Sequence, residues 1–367
     1  MTKAAVHVGL DQPLEVRDDI EVAAPKAGEL KVRIAASGVC HSDLSVVNGT
    51  IPLPPPVVLG HEGAGVVEEV GEGVTDFQVG DHVVLTFVPE CGECFFCKRD
   101  QGFLCEKSAS LAMGGLLDGT KRLSSGGNPL SQMAGCGTFS ELTVVPAISA
   151  VKIDKDVPLK VAALLGCGVQ TGVGAATNTA NIRKGDTVAV IGCGGVGLNA
   201  IQGARIAGAE RIIAIDMVES KLQLAKEFGA TDFVDASEGN AVSAVQALNG
   251  GKGVDVAFEV IGLGPTIEQA MQMTRQGGET VLVGVPRMDV MLNLNPAFAL
   301  IYTAKTLKGC WYGSCNVHRE VPKLLALYKS GDLKLDELIS REISIDDVNS
   351  AFDAMKTGEV ARSVIVY

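Results

Sequence analysis

Four cysteines lie close together in one short stretch of the chain, Cys91, Cys94, Cys97 and Cys105. Four thiolates within one loop suit the closed tetrahedral site of a structural zinc ion. A four-iron cluster also takes four cysteines, but its usual run has another spacing and a trailing proline. Disulfides are disfavoured by the close spacing and by an N-terminus without a long apolar secretion signal. The spacing therefore predicts structural zinc.

A glycine-rich turn, Gly192-Cys-Gly-Gly-Val-Gly197, fits the pattern G-x-G-x-x-G. It follows an apolar strand and opens a helical pattern, the context in which the glycines cradle a pyrophosphate at a helix N-terminus. Asp216 ends the next predicted strand, where its carboxylate would bond ribose hydroxyls and repel the 2′-phosphate of NADP. The competing interpretation is an ordinary strand–helix turn with an incidental aspartate. The context favours an NAD site.

A second set of metal-binding residue types is scattered: Cys40, the pair His61-Glu62, and Cys167. Taken singly, each is weak evidence, since a lone cysteine is usually a small core residue. Their spacing in sequence cannot by itself bring them together.

The elements that would position these residues change character along the chain. Short strands separated by turns come first, and Lys107–Gly137 is polar, glycine-rich and weakly periodic, which predicts a long surface loop. From about residue 170, apolar strands alternate with helical patterns, which predicts a doubly wound parallel sheet. The early strands are expected at Glu29–Ile34, Gly65–Val70 and His82–Thr86, and the later ones at Thr187–Ile191, Arg211–Ile215, Thr231–Val234, Val254–Val260, Thr280–Val285 and Thr306–Tyr312.

Composition narrows the class of protein. The chain has 367 residues, 47% of them hydrophobic, and a formal net charge of −12. This acidic balance argues against binding nucleic acid or an anionic membrane. No apolar run is long enough to span a bilayer, so we expect a cytoplasmic protein.

Taken together, these motifs resemble the zinc-containing medium-chain alcohol dehydrogenases over essentially the whole chain. The resemblance implies an α/β protein with a β-rich GroES-like catalytic domain, residues 1–168 and 312–367, and an NAD-binding Rossmann domain, residues 169–311. The matching blocks are Gly38–Asp43, Gly60–Gly65, Cys91–Cys105, Gly166–Gly168, Gly192–Gly197 with Asp216, and Arg362.

The resemblance also implies roles for single residues. Cys40, His61 and Cys167 would bind a catalytic zinc, a Lewis acid that leaves one position open. Glu62 would belong to the same metal site and help ligand exchange. Asp43 would fix the His61 tautomer and Ser42 would accept the alcohol proton. In many family members the proton passes from this serine to a histidine that releases it to solvent. Ser45 aligns with that histidine, so the resemblance does not identify the final proton acceptor in this chain. The implied cofactor-binding residues are His41 and Arg362 at the pyrophosphate, with Gly192, Gly194, Gly195, Val196, Gly197, Asp216, Lys221 and Val285.

The expected substrate is a hydrophobic, aromatic or allylic primary alcohol or its aldehyde. The aligned substrate-site positions are apolar: Ile51, Phe87, Val285 and Trp311. Glutathione-dependent formaldehyde dehydrogenases place an acid and an arginine where Ile51 and Ala109 stand, but a dehydrogenase using another thiol, such as mycothiol, stays open because Gly309–Cys315 resembles that group.

Two further expectations concern whether the protein is an enzyme and how many chains associate. A non-catalytic NAD-binding protein on this fold would have lost a zinc ligand, and none of the ligands is missing. The long Lys107–Gly137 segment resembles that of dimeric members, which predicts a homodimer, with a tetramer as the alternative. Two zinc ions per chain and NAD are the predicted cofactors.

Overall fold

The computed structural model of the chain describes residues 1–357 and 361–367. The chain divides into two compact units, a terminal unit of Met1–Gly168 with Asn316–Tyr367 and a middle unit of Val169–Cys315. The second division falls at 315/316, whereas the sequence places it at 311/312. Residues 312–315 stay with the middle unit because Gln170 Nε2 donates to the Tyr312 hydroxyl at 3.0 Å.

The elements are numbered along the chain. The strands of the described residues are β1 (Thr2–His7), β2 (Glu15–Val22), β3 (Glu29–Val39), β4 (Val57–Val58), β5 (Glu62–Val70), β6 (His82–Leu85), β7 (Leu123–Ser125), β8 (Asn128–Gln132), β9 (Leu142–Pro146), β10 (Ala150–Ile153), β11 (Thr187–Ile191), β12 (Arg211–Asp216), β13 (Asp232–Asp235), β14 (Val254–Glu259), β15 (Thr274–Leu282), β16 (Thr306–Gly309), β17 (Ile339–Ile343) and β18 (Arg362–Val366). The α-helices are α1 (His41–Val47), α2 (Ser108–Ala112), α3 (Leu159–Ala162), α4 (Gly168–Gly174), α5 (Gly195–Ala207), α6 (Glu219–Glu227), α7 (Ala241–Leu248), α8 (Gly264–Met273), α9 (Val317–Ser330) and α10 (Val348–Thr357).

The terminal unit is built from β-structure contributed by both chain ends. Strands β1, β2, β7, β8 and β4 close a small barrel, and a second sheet runs β10-β6-β5-β3-β18-β17 with β9 also paired to β3. Along β3, the alternate residues Leu30, Val32 and Ile34 are buried in one apolar cluster, as period-2 patterning requires. The last strand, β18, pairs antiparallel with β3, with Ser363 opposite Val39.

The middle unit is the predicted doubly wound parallel sheet, and this part of the fold prediction is confirmed. Its six strands run in the order β13-β12-β11-β14-β15-β16, and the central strand β11 is buried along its whole length, as a strand covered on both faces must be. The order reverses between β11 and β14, which opens a crevice at the carboxyl ends of these strands. Strands β15 and β16 end at Leu282 and Gly309, earlier than predicted, so Val285 and Trp311 lie in the following loops.

The prediction of a long surface loop at Lys107–Gly137 is wrong. The segment contains α2, β7 and β8, and β7 pairs with both β2 and β8. Leu111, Leu116 and Leu123 are buried within it. Strands of three to five residues are too short to show a clear period, and these leucines are buried by partners distant in sequence.

Helix length and apolar composition decide whether the described part of the chain could cross a membrane. No single helix there is long and apolar enough to cross a bilayer, although one bent pair, Leu159–Gly166 with Gly168–Thr179, meets the criteria of length and composition.

Candidate zinc and dinucleotide sites

The four predicted structural-zinc cysteines form one cluster, which we call the loop cluster: Cys91, Cys94, Cys97 and Cys105. Their sulfurs all lie within 4.8 Å of one another, and the Cys91 and Cys97 sulfurs are 3.9 Å apart, far beyond a disulfide bond length. Burial opposes ionisation of Cys94, but the donated Cys97 N–H and neighbouring bonds lower the pKa of its thiol to about 6. A thiolate is the form that binds metal.

The loop cluster is anchored to the beginning of α9. Gly102 N donates to Asn316 Oδ1 at 2.7 Å, and Arg319 donates to Asp100 Oδ1 at 2.7 Å. The Asn316 side chain is buried and also donates to the Asp100 carbonyl. The sequence indicated no part for Asn316, because it lies more than 200 residues from the loop.

The scattered residues also come together, in what we call the assembled cluster: Cys40, His61, Glu62 and Cys167. All four are buried, and one ligand atom from each lies within 4.8 Å of the others. They come from three places in the terminal unit: the N-cap of α1, the start of β5 and the residue before α4. The fold therefore supplies the proximity that sequence spacing could not.

Asp43 orients the His61 ring. Asp43 Oδ1 lies 3.0 Å from His61 Nδ1, while its carboxylate also accepts from Cys40 N at 2.9 Å and Gly60 N at 3.1 Å. Nδ1 is thereby occupied, and the buried Nε2 has no hydrogen-bond partner among the described residues. An imidazole nitrogen left free beside two thiols is the donor set that zinc takes, so the assembled cluster fits the metal.

Glu62 links the cluster to the chain's last strand. Its Oε1 accepts from Gly168 N at 3.2 Å, and its Oε2 pairs with the buried guanidinium of Arg362. Burial raises the pKa of Glu62 to about 7, although the positive charge of Arg362 opposes the rise. The family resemblance implies a pyrophosphate contact for Arg362, and the structure places its guanidinium on Glu62. The pyrophosphate contact stays a prediction.

Ser42, the remaining predicted catalytic residue, lies on α1 together with Ser45 and His41. Ser42 and Ser45 are half-buried and three residues apart, so they share a helix face, while His41 is exposed. The ring of Phe87 packs edge-on against His61, with 5.5 Å between ring centroids. An aromatic wall thus stands beside the histidine of the assembled cluster.

The glycine-rich turn has the geometry of a dinucleotide cradle. Gly192 has φ +97°, a conformation that favours glycine, and a Cβ on Gly197 would collide with the Gly192 carbonyl. A Cβ on Gly194, the N-cap of α5, would meet no atom within 4 Å. The backbone there is open to a phosphate, while the third glycine permits close helix packing.

Asp216 makes contacts that the sequence did not indicate. Its Oδ2 accepts from Cys193 N at 2.8 Å, inside the glycine-rich turn. Its Oδ1 accepts from Met217 N at 2.8 Å and Val218 N at 3.1 Å. The carboxylate therefore fixes the turn itself, and its contact with a ribose stays a prediction, as do the cofactor roles of His41, Gly195, Val196, Lys221 and Val285.

Comparison with known proteins decides the family. Residues 26–155 match the alcohol dehydrogenase GroES-like domain, and residues 195–330 match the zinc-binding dehydrogenase domain. The chain is 44% identical to the class-3 alcohol dehydrogenase of Drosophila melanogaster over 100% of this chain and 97% of that protein. The chain belongs to the zinc-containing medium-chain dehydrogenase family. It is accordingly an oxidoreductase whose cofactors are zinc and NAD, as predicted.

Two further proteins are similar to this medium-chain dehydrogenase over nearly the whole chain. It is 43% identical to the probable S-(hydroxymethyl)glutathione dehydrogenase 1 of Schizosaccharomyces pombe, over 99% of this chain and 96% of that protein. It also superposes on the crystal structure of benzyl alcohol dehydrogenase from Acinetobacter calcoaceticus with a TM-score of 0.93, at 31% identity over 100% of this chain and 99% of that one.

Proposed function

We propose that this dehydrogenase interconverts hydrophobic primary alcohols, aromatic or allylic, and their aldehydes with NAD. The observation that carries the proposal is the Phe87 ring, packed edge-on at 5.5 Å from the ring of His61. A flat apolar wall beside the metal-binding histidine favours an aromatic or allylic group attached to the reacting carbon. The name of the structurally similar benzyl alcohol dehydrogenase agrees with this class.

Residues of the chain itself orient the metal ligand, accept the proton and exclude water. When bound in the assembled cluster, zinc supplies Lewis acidity, and NAD accepts or returns a hydride. Asp43 holds His61 through Nδ1, which leaves Nε2 as the nitrogen that would bind the metal. Ser42 takes the proton of the alcohol as its first acceptor, and Ser45, which lacks a basic nitrogen, takes no part as a base. Phe87 and Ile51 keep water from the apolar end of the substrate.

A second candidate function is oxidation of the adduct that formaldehyde forms with a thiol. It is favoured by the relatives named for class-3 alcohol dehydrogenase and S-(hydroxymethyl)glutathione dehydrogenase. Ile51 and the exposed Ala109 are the positions where the glutathione-dependent enzymes carry charged groups. Neither side chain can pair with a glutathione carboxylate, so the thiol in this case would be another one, such as mycothiol.

Steady-state rates separate the two functions. The purified enzyme is assayed with NAD and benzyl alcohol, ethanol, or formaldehyde premixed with glutathione or mycothiol. We expect kcat/KM for benzyl alcohol to exceed that for ethanol by at least ~10-fold, because each buried methylene contributes about 0.8 kcal/mol. Phe87→Ala should reduce this ratio, whereas Phe233→Ala, at a partly exposed site on β13, should leave it unchanged. A thiol adduct emerging as the best substrate would replace the first function with the second.

We also infer a homodimer. The segment between β15 and β16 exposes several large apolar side chains, which a monomer rarely leaves in water: Met288, Met291, Phe298, Ile301 and Tyr302. Light scattering at several concentrations tests the inference, and a molar mass matching four chains or one would contradict it.

A further inference from the structure

Thr138, in the segment between β8 and β9, is a fully buried residue that none of the motifs includes. Its backbone N–H donates to the Gly60 carbonyl at 3.0 Å, and the N–H of Phe139 donates to the Leu59 carbonyl at 2.9 Å. The Gly60 carbonyl belongs to the planar peptide group that leads into His61. The N–H of Thr138 therefore orients the peptide plane immediately before the metal-binding histidine.

The Thr138 side chain also contacts the two glycines that flank His61 and Glu62. A Cβ on Gly60 would stand 2.5 Å from the Thr138 hydroxyl oxygen, and a Cβ on Gly63 would collide with the Thr138 methyl carbon. Glycine permits such a close approach because it has no Cβ. The hydroxyl thus lies against one end of the His61-Glu62 pair and the methyl group against the other, so a shift of Thr138 would displace the backbone of both ligand residues.

Two elements distant in sequence hold Thr138 in this place. Its hydroxyl shares a hydrogen bond of 2.7 Å with the Ser37 hydroxyl on β3, and both residues are buried. Its carbonyl accepts from the Tyr367 hydroxyl at 2.8 Å, and Tyr367 N donates to the Ala35 carbonyl, also on β3, at 3.1 Å. Ser37 lies opposite Gly63 where β3 pairs with β5. The side chain and the backbone of Thr138 are therefore both tied to the sheet that contains β5.

Asp43 and Thr138 act on the same histidine in different ways. Asp43 Oδ1 lies 3.0 Å from His61 Nδ1 and accepts from Gly60 N at 3.1 Å. Thr138 N donates to the carbonyl of the same glycine. Asp43 thus orients the ring, and Thr138 orients the backbone from which the ring projects. Both are needed to place Nε2, since the position of a side-chain atom depends on the backbone as well as on the rotamer.

We propose that Thr138 is a positioning residue for the metal ligand His61, and that Tyr367 acts on the ligand through Thr138. The two residues hold the backbone at Gly60 and His61 in one conformation before any metal is bound. A ligand that is already in place loses less conformational freedom when it binds, so this arrangement strengthens zinc binding by the assembled cluster. The proposal rests on the zinc binding of the family and is independent of the alcohol that the enzyme uses.

Competition for zinc between the full-length holoenzyme and a chelator tests the proposal, and the Cys40→Ala protein identifies the zinc that belongs to the loop cluster. Thr138→Val keeps the shape of the side chain but removes the hydroxyl that Ser37 contacts. We expect the zinc affinity of the assembled cluster to fall about tenfold, as is typical when an outer partner of a metal ligand is lost. The affinity of the loop cluster should change less than about twofold. Thr138→Ser keeps the hydroxyl and should recover most of the lost affinity.

Tyr367→Phe removes only the hydroxyl that holds the Thr138 carbonyl, since the ring still packs against its apolar neighbours. It should lower the zinc affinity of the assembled cluster by a smaller factor, about threefold, as the loss of one neutral hydrogen bond would. Tyr328→Phe is the matched control. Tyr328 is another half-buried tyrosine of the terminal unit, and its hydroxyl donates to Asp336 at 2.8 Å. Its loss should leave both zinc affinities unchanged.

Thr280→Val is the control for Thr138→Val. Thr280 is a buried threonine whose hydroxyl lies 2.8 Å from that of Thr274, in the middle unit, which supplies no residue to either cluster. Its loss should lower the melting temperature comparably without changing either zinc affinity. Should Thr138→Val fail to melt cooperatively, the comparison of Tyr367→Phe with Tyr328→Phe decides.

Equal weakening of both zinc sites, or an unchanged affinity at the assembled cluster, would overturn the proposal. Because no alcohol enters the measurement, a wrong substrate assignment cannot produce either outcome.

Discussion

The loop cluster takes all its sulfurs from residues 91–105, whereas the assembled cluster draws on residues 40, 61, 62 and 167. The loop cluster is also the more exposed of the two, with three half-buried cysteines and one buried, while all four residues of the assembled cluster are buried. A local cluster depends for its geometry on one short segment of the chain. A cluster collected from distant elements depends on every strand and helix that supplies a ligand.

The two clusters also differ in the groups that they offer to a metal ion. The loop cluster consists of four thiols, a set that closes a tetrahedral zinc site completely. The assembled cluster has two thiols and one imidazole, with Glu62 already engaged by Arg362 and Gly168 N. Three ligands leave one position for a substrate oxygen. We therefore expect stability to depend on the loop cluster and turnover on the assembled one.

The largest effects are expected when one cysteine sulfur is removed from each of the two clusters. Cys40→Ala should lower kcat at least ~10³-fold, because Lewis-acid stabilisation worth several kcal/mol is lost, while the protein stays folded with one zinc. Cys94→Ala should instead lower the melting temperature, since closed zinc sites contribute folding energy. Metal analysis, turnover and calorimetry are measured on both variants.

Cys310→Ala, at a half-buried cysteine outside both clusters, is the control and should retain two zinc ions. Near-normal turnover by Cys40→Ala would remove the assembled cluster from catalysis.

A smaller effect is expected at Asp43, which contacts His61 of the assembled cluster but does not itself belong to the cluster. Asp43→Asn replaces an acceptor of three bonds by a group with one oxygen, so His61 is held less firmly. Zinc affinity at this cluster should fall ~10–100-fold, as is typical for such outer partners, with the loop zinc unaffected. Competition with a chelator, followed by metal analysis, measures both sites.

Asp81→Asn provides the comparison for this variant. Asp81 is another buried acid of the terminal unit, which accepts from Gln78 N at 2.9 Å and pairs with Lys152. If it weakened the zinc of the assembled cluster as much as Asp43→Asn does, the effect would be one of general stability.

The smallest effect is expected where the loop cluster is anchored. Asn316→Ala leaves the buried Gly102 N–H without its acceptor, which costs about 1–3 kcal/mol, and should speed release of the loop zinc to a chelator. Asn349→Ala removes a similar side-chain bridge, to both Leu14 N and Leu14 O, far from either cluster in sequence. It should cost comparable stability without changing zinc release, and equal release rates in the two variants would contradict an anchoring role for Asn316.

Sequence reasoning succeeded where the interacting residues are close together in the chain. The four-cysteine loop and the glycine-rich turn each lie within one short segment, so residue type and spacing specify their chemistry. The parallel sheet was predictable because buried strands such as β11 are continuous apolar runs. The strands within Lys107–Gly137 are not predictable in the same way, because they are short and the buried leucines pack against residues distant in sequence.

The sequence by itself determined the loop zinc site, the dinucleotide turn and the alternation of strand and helix, since each is governed by interactions over a few residues. Residue type alone made Cys40, His61 and Cys167 candidate ligands, and a family resemblance was needed to group them. Only the tertiary structure decided that Arg362 pairs with Glu62, that Asn316 anchors the loop cluster and that Thr138 lies against the peptide before His61. The first two contacts join residues more than 200 positions apart. The third depends on a threonine that is distant in sequence from the histidine and belongs to none of the motifs, so no spacing pattern encodes it.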